Sequence, residues 1–100
     1  MHLISFRTIR QYVLQNAQAR EELAAWAKQV EKAEWADFNA LKADFPATDY
    51  IGDNRYVFNV KGNHYRVIAM VFFAPAQLYI RGIFTHAEYS KLSKRDIIRL

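Results

Sequence analysis

The chain has 100 residues, 52% of them hydrophobic and 15% aromatic, which is enough for one small hydrophobic core and too few for two. It contains no cysteine, which excludes a disulfide framework, thiol catalysis and cysteine-ligated zinc. The net charge of +4 is unevenly placed, because residues 1–54 hold six Lys/Arg and eight Asp/Glu whereas residues 55–100 hold eight Lys/Arg and two acidic residues. We therefore expect one domain over residues 1–100. Its basic second half suggests binding of a polyanion, nucleic acid first and an acidic protein second, and ordinary surface charge explains the asymmetry about equally well.

From the sequence we expect neither a signal peptide nor a membrane-spanning segment. The N-terminal stretch MHLISFRTIR places arginines inside a short apolar run and has no small-residue cleavage site. The longest apolar run, residues 67–75, is far shorter than the roughly 20 residues that a membrane-spanning helix needs. We expect a cytoplasmic protein that does not associate with a membrane.

The first half of the chain predicts one strand followed by helices. His2 to Ser5 is short and apolar, typical of an edge strand, and Ser5 is a candidate helix cap. Helical spacing of apolar residues predicts helices over residues 6–16, 18–32 and 35–44. Residues 46–54 are rich in helix and strand breakers and predict a loop.

The second half changes to the pattern of a β-sheet. Strands are predicted over residues 55–60, 64–73 and 78–84, with Lys61-Gly62-Asn63 as the first hairpin turn. The second of these strands is apolar on both faces beyond Arg66, which is typical of a covered central strand. Thr85 and Glu88 have the spacing of a capping box that opens a short C-terminal helix. Together the elements predict an α+β fold.

Four residues are candidates for chemistry. Arg66 and Arg81 lie inside otherwise apolar strands, where a charge is costly unless it is paired or reaches a cleft. Because the two strands are neighbours, both guanidinium groups are expected near one spot. His86 follows the helix cap and can exchange a proton near neutral pH, and Tyr89 lies one turn later. Each of these residues also has a purely structural explanation. The arginines could extend their charged ends to solvent or pair with a helix carboxylate, the histidine could lie at the surface and the tyrosine could pack in the core. For any one residue taken alone, the structural explanation is at least as well supported as the catalytic one.

A second group of residues suits contacts with RNA phosphates, which position an RNA without reading its sequence. Its members are Lys61, Asn63 and His64 near the first hairpin and Lys91 and Lys94 near the C-terminus. With the arginines and His86, they provide what in-line RNA cleavage needs: a base, an acid and positive charge at the phosphate. The three histidines come from different elements without a close carboxylate, so we predict neither a metal site nor a cofactor.

The segment YVFNVKGNHYRVIAMVFF, followed by YIRGIFTHAEYSKL, resembles the HigB family of toxins in the RelE-like superfamily. The shared pattern is a strand ending in FNV, a Gly-Asn turn, Tyr-Arg-Val, and an Ile-Arg strand leading into Thr-His-x-Glu-Tyr. The N-terminal strand and helices match in order and length, so the resemblance covers essentially the whole chain. It implies a small sheet of about four strands, with two to three N-terminal helices on one face and a short C-terminal helix.

The resemblance also implies a function. Such a protein would be an mRNA interferase toxin of a type II toxin–antitoxin system, a metal-independent endoribonuclease that cleaves mRNA in the ribosomal A site through attack of the 2′-OH. Its partners would be mRNA and a HigA-type helix-turn-helix antitoxin. Arg66 and Arg81 would bind the phosphate, and His86 and Tyr89 would transfer protons or stack. Many relatives have an acidic residue after Glu-Tyr, whereas this chain has Ser90, which shifts the chemistry towards His86.

Two other functions fit the residues. A non-catalytic module that binds RNA or the ribosome would inhibit translation by occupancy, for which a basic sheet with aromatic residues suffices. A protein-interaction domain would use its basic half to dock an acidic partner. The sequence also leaves open which side chain is the general base and which the acid.

Overall fold

The computed structural model describes residues 1–60 and 64–100 of the chain. Lys61 and Asn63, two of the predicted RNA contacts, lie outside the described residues. The helices are α1 Phe6–Gln15, α2 Arg20–Lys32, α3 Phe38–Asp44, α4 His86–Tyr89 and α5 Lys94–Ile98. The strands are β1 His2–Leu3, β2 Asp49–Gly52, β3 Arg55–Val60, β4 Tyr65–Phe72 and β5 Gln77–Thr85.

Within the described residues, the five strands form one sheet in the order β1-β5-β4-β3-β2. β1 pairs parallel with β5, and the remaining neighbours are antiparallel. The predicted α+β class is confirmed, as are the edge position of the first strand and the central position of β4. The sheet has one strand more than the approximate number predicted.

The additional strand, β2, lies in the segment 46–54, for which the prediction of a loop throughout was wrong. Asp49–Gly52 pairs antiparallel with β3, and a tight turn follows in which Asp53 and Asn54 have φ values of 49° and 64°. Asp and Asn tolerate this left-handed conformation better than most residues. The breaker residues therefore form a hairpin turn, and the short stretch before them pairs with β3.

Ser5 occupies the N-cap position of α1, as predicted, but its side chain makes no capping hydrogen bond to the helix. Its hydroxyl accepts a hydrogen bond from the backbone N–H of Ile80 at 3.1 Å, so it ties the start of α1 to β5. The second helix also starts later than predicted, because a 3-10 turn at Ala17–Ala19 precedes α2.

The third helix begins at Phe38 rather than near Trp35. Asp37 is the cap, and its carboxylate accepts a hydrogen bond from the backbone N–H of Ala40 at 2.9 Å. Trp35 lies before the helix but is only 4% exposed, and its indole N–H donates to Asp44 at 2.8 Å. Trp35 is thus buried beside α3 without being part of it. Sequence periodicity does not distinguish a buried residue next to a helix from one within the helix.

The sheet has a covered face on each side. The larger core lies under α1–α3 and includes alternate residues of β4, namely Tyr65, Val67, Ala69 and Val71. On the opposite face, Val57 and Ile68 pack against Ile97 of α5. Two-sided burial explains why β4 reads as a continuous apolar run. No helix in the described part of the chain is long and apolar enough to cross a bilayer.

Candidate functional site

Arg66 is the centre of a cluster of polar side chains on β4. Its side chain is only 8% exposed, and it alternates with Tyr65, which faces the N-terminal helices, so it points to the other side of the sheet. Nη2 of Arg66 lies 3.2 Å from Nδ1 of His86, and the guanidinium carbon lies 5.6 Å from the ring centroid of Tyr89. Nη1 donates to the backbone carbonyl of Tyr65 at 3.4 Å. The structure thus brings together three of the four predicted catalytic residues.

The local sequence holds His86 beside Arg66. The Thr85 hydroxyl accepts from the Glu88 N–H at 3.2 Å, and the Glu88 carboxylate accepts from the Thr85 N–H at 2.8 Å, which forms the predicted capping box. The backbone N–H of His86 then donates to the carbonyl of His64 at 3.0 Å. The start of α4 is therefore anchored to the residue before β4, and the exposed imidazole sits at a defined position.

The contact with Arg66 determines the tautomer of His86. A guanidinium group has only donors, so Nδ1 of His86 must accept the hydrogen bond. The neutral imidazole therefore carries its proton on Nε2, and its lone pair lies at Nδ1 beside the cation. This places a potential proton acceptor next to a positive charge that can hold a phosphate.

Tyr89 is half-buried between this cluster and the edge strand β2. Burial raises the pKa of the Tyr89 hydroxyl above its ordinary value of 10.0, the Asp49 carboxylate raises it further, and the Arg66 guanidinium opposes them. The phenol is therefore neutral under ordinary conditions, so it can donate a hydrogen bond or present its ring. Asp49 was not singled out from the sequence, because it belongs to the unpredicted β2. The Asp-Tyr-Ile-Gly-Asp-Asn pattern of a short strand and turn is the signal that could have found it.

Arg81 lies elsewhere on β5 and has different hydrogen-bond partners. A register shift between β4 and β5 occurs at Arg81, between Ile80 and Gly82. Nε of the exposed Arg81 donates to the main-chain oxygen of Leu100 at 2.6 Å, and Arg55 donates to the same oxygen at 3.3 Å. The expected meeting of Arg66 and Arg81 at one spot is thus not seen among the contacts of the described residues.

The remaining predicted RNA contacts that the structure describes are exposed. His64 precedes β4, Lys91 follows α4, and Lys94 begins α5. Lys94 and Tyr89 share a cleft of about 330 Å³ between β2 and the C-terminal helices. His64 thus adjoins His86 through a backbone hydrogen bond and Lys94 adjoins Tyr89, so two of these residues lie next to members of the Arg66 cluster. Among residues 1–60 and 64–100, no group of three or more His, Asp or Glu could hold a metal ion.

Comparison with known proteins defines the class. The family model of the RelE-like toxic component of a toxin–antitoxin system, the HigB toxin, matches residues 19–92. The mRNA interferase toxin HigB of Escherichia coli (strain K12) is 41% identical over 92 residues, which cover 89% of this chain and 88% of the relative. The mRNA interferase HigB of Escherichia coli O157:H7 gives the same values. A more distant relative, the mRNA interferase HigB of Escherichia coli O6:H1, is 26% identical over 96 residues, 94% of this chain and 93% of that protein.

The fold and the sequence thus identify the class of protein: the RelE-like toxic component of a toxin–antitoxin system. The chain belongs to the HigB toxin family. The resemblance found in the sequence is confirmed, and an antitoxin partner follows from the family.

Proposed function

We propose that this chain is an mRNA interferase, an endoribonuclease that uses the Arg66 cluster as its active site. The single observation that carries the proposal is the contact of the buried Arg66 with His86 and Tyr89. The curated names of the relatives agree with the endoribonuclease predicted from the sequence. Both halves of the chain contribute strands to one sheet, which supports a single domain over residues 1–100.

In this proposal Arg66 binds the scissile phosphate. When the phosphate takes a guanidinium N–H, the contact to Nδ1 of His86 opens and leaves the imidazole lone pair free. Arg81 exchanges the oxygen of Leu100 for a neighbouring phosphate, and the five basic or polar residues of the predicted RNA surface hold the strand. These are Lys61, Asn63, His64, Lys91 and Lys94.

The cleavage step balances with the side chains of the cluster. Nδ1 of His86 takes the 2′-OH proton while the 2′-oxygen forms a bond to phosphorus and the bond from phosphorus to the 5′-oxygen breaks. Arg66 stabilises the extra negative charge of the phosphorane. The 5′-oxygen receives a proton from the imidazolium so formed or from the phenol of Tyr89. In the second case the imidazolium then returns its proton, through solvent, to the phenolate, and both side chains are restored. The products are a 2′,3′-cyclic phosphate and a 5′-hydroxyl.

The substrate, partner and location follow as parts of the same proposal. The RNA is mRNA in the ribosomal A site, where the basic surface contacts both message and ribosome. The toxin acts in the cytoplasm, and a HigA-type helix-turn-helix antitoxin neutralises it. The step as written needs no metal, because side chains supply both the proton transfers and the positive charge.

The test is single-turnover cleavage of a short RNA, free in solution and in programmed ribosomes, with product ends identified by mass spectrometry. His86→Ala should lower the rate by about 10²–10⁴-fold, the usual contribution of a general base. Tyr89→Phe should lower it as well if the phenol donates the proton, and leave it unchanged if the imidazolium does. His2→Ala, which removes an exposed histidine from β1, is the matched control and should retain the wild-type rate.

Two results would contradict the proposal. Equal rates for His86→Ala and wild type would remove His86 from the active site. RNA binding and translation arrest without any product ends would replace the nuclease by the translation inhibitor that acts through occupancy.

A further inference from the structure

An apolar groove lies between α1 and the start of α2. It has a volume of about 410 Å³, and its apolar lining consists of Phe6, Ile9, Val13, Leu14 and Ala24. Leu14 is 76% exposed and Phe6 is 38% exposed. Of the four large hydrophobic side chains that are exposed in the described part of the chain, these two line the groove. Exposed apolar side chains clustered in a concave surface mark an interaction site more often than scattered ones do.

The charged residues that line this groove are all basic. Arg10 of α1 and Arg20 of α2 are exposed and are the charged residues that line it. Helix α1, with the sequence FRTIRQYVLQ, contains two arginines and no acidic residue. An apolar strip bordered by guanidinium groups is complementary to a segment that carries apolar side chains flanked by carboxylates.

We propose that this groove is the docking site of the antitoxin, which inserts an amphipathic segment with acidic residues at its edges. The family implies that such a protein partner exists. The apolar lining of the groove and its two arginines indicate that the partner presents apolar side chains flanked by carboxylates. A second copy of the chain would bring the same arginines together across a symmetric interface, which like-charge repulsion opposes. RNA would match the arginines but not the aliphatic side chains of Val13 and Leu14 that line the groove.

The groove and the Arg66 cluster use different sides of the sheet. Ile9, in the groove wall, belongs to the core under the helices, whereas Arg66 points to the opposite face. We therefore expect substitutions in the groove to leave the Arg66 cluster unchanged. Docking and ribonuclease activity can be measured separately, and failure of one does not imply failure of the other.

The experiment measures the affinity of the purified full-length toxin for the antitoxin encoded beside it, by calorimetry. Leu14→Glu places a charge against the apolar side chains of the partner, and Arg10→Glu places a carboxylate where an arginine would pair with a carboxylate of the partner. Each should weaken binding at least tenfold, the first by loss of an apolar contact and burial of a charge, the second by loss of an ion pair and like-charge repulsion. Gln11→Glu changes the net charge by the same amount as Leu14→Glu, at an exposed position of α1 outside the groove lining, and should bind like wild type. Far-ultraviolet circular dichroism with a melting curve verifies that each variant is folded.

The cellular counterpart is rescue by co-expressed antitoxin, which should fail for Leu14→Glu and succeed for Gln11→Glu. Wild-type affinity for the antitoxin in the folded Leu14→Glu and Arg10→Glu variants would overturn the proposal. Unchanged antitoxin binding with a loss of RNA affinity would assign the groove to RNA, and unchanged binding with a loss of self-association would assign it to a second copy. Either result would overturn it as well.

Discussion

Replacing Arg66 with methionine separates a role in cleavage from a role in stability. The substitution removes the charge-assisted hydrogen bond to His86, worth about 1.5–3 kcal/mol, and the longer one to the Tyr65 carbonyl at 3.4 Å, which is weaker. It also removes the cation–π contact over Tyr89, worth about 0.5–2 kcal/mol. It also removes the desolvation cost of a cation that is only 8% exposed, which amounts to several kcal/mol. Methionine retains most of the apolar volume of the side chain. Since these terms oppose each other, we expect the free energy of unfolding to change by less than about 2 kcal/mol.

The rate of cleavage should respond quite differently. Loss of one preorganised donor to a developing oxyanion lowers a rate by about 10²–10³-fold, and Arg66→Met should fall in or beyond this range. Arg66→Lys, which keeps the charge but loses the planar fork, should lie between Arg66→Met and wild type. The assays are single-turnover cleavage of a short RNA and urea denaturation, with Arg7→Met on α1 as a matched exposed control. A folded Arg66→Met protein that cleaves within threefold of wild type would refute the role of Arg66 in cleavage. A destabilisation above about 4 kcal/mol that accounts for the whole loss of activity would refute it as well.

Three further predictions concern the fold and the reaction. Burial raises the pKa of the Tyr12, Tyr56 and Tyr89 hydroxyls above the ordinary value of 10.0, so these groups ionise first in the unfolded chain. The melting temperature of the protein should therefore fall as the pH rises above 10. The melting temperature of Tyr89→Phe should fall less steeply, and an equally steep fall would contradict the raised pKa of Tyr89. In Gly82→Ala the new Cβ would lie 2.6 Å from the Phe84 ring, so urea denaturation should show a loss of about 1–3 kcal/mol as the ring shifts; unchanged stability would show that the ring moves freely. EDTA should leave the single-turnover rate unchanged, and a loss restored by a divalent cation would contradict metal-independent cleavage.

Local signals explain which parts of the fold could be predicted. The Thr85–Glu88 capping box is complete within four residues, so the start of α4 was predictable without any tertiary contact. β2 was missed because an isolated strand of four residues is too short for a period of two to emerge, and its formation depends on pairing with β3. Ser5 looked like a cap, yet its hydroxyl bonds to Ile80, a residue 75 positions away. No local pattern can predict that competition.

In the candidate site, too, some features could be predicted from the sequence and others could not. Arg66 and Arg81 were identifiable because a charge inside an apolar strand needs a partner. The partners themselves depend on the register of β4 and β5, which places Arg66 opposite Phe84 and so brings it to His86 at the start of the next helix. The shift in register beyond Ile80 and the position of Leu100 give Arg81 another partner. Neither is encoded in the spacing of the arginines.

The most direct test of the central claim is to map the 5′ ends of cellular mRNA after induction of the wild-type toxin and of His86→Ala. We expect new 5′-hydroxyl ends within mRNA coding regions for the wild type, and their absence for the folded variant, whose imidazole beside Arg66 is gone. Growth arrest by the wild type without new 5′-hydroxyl ends would contradict it, as would the same ends in His86→Ala.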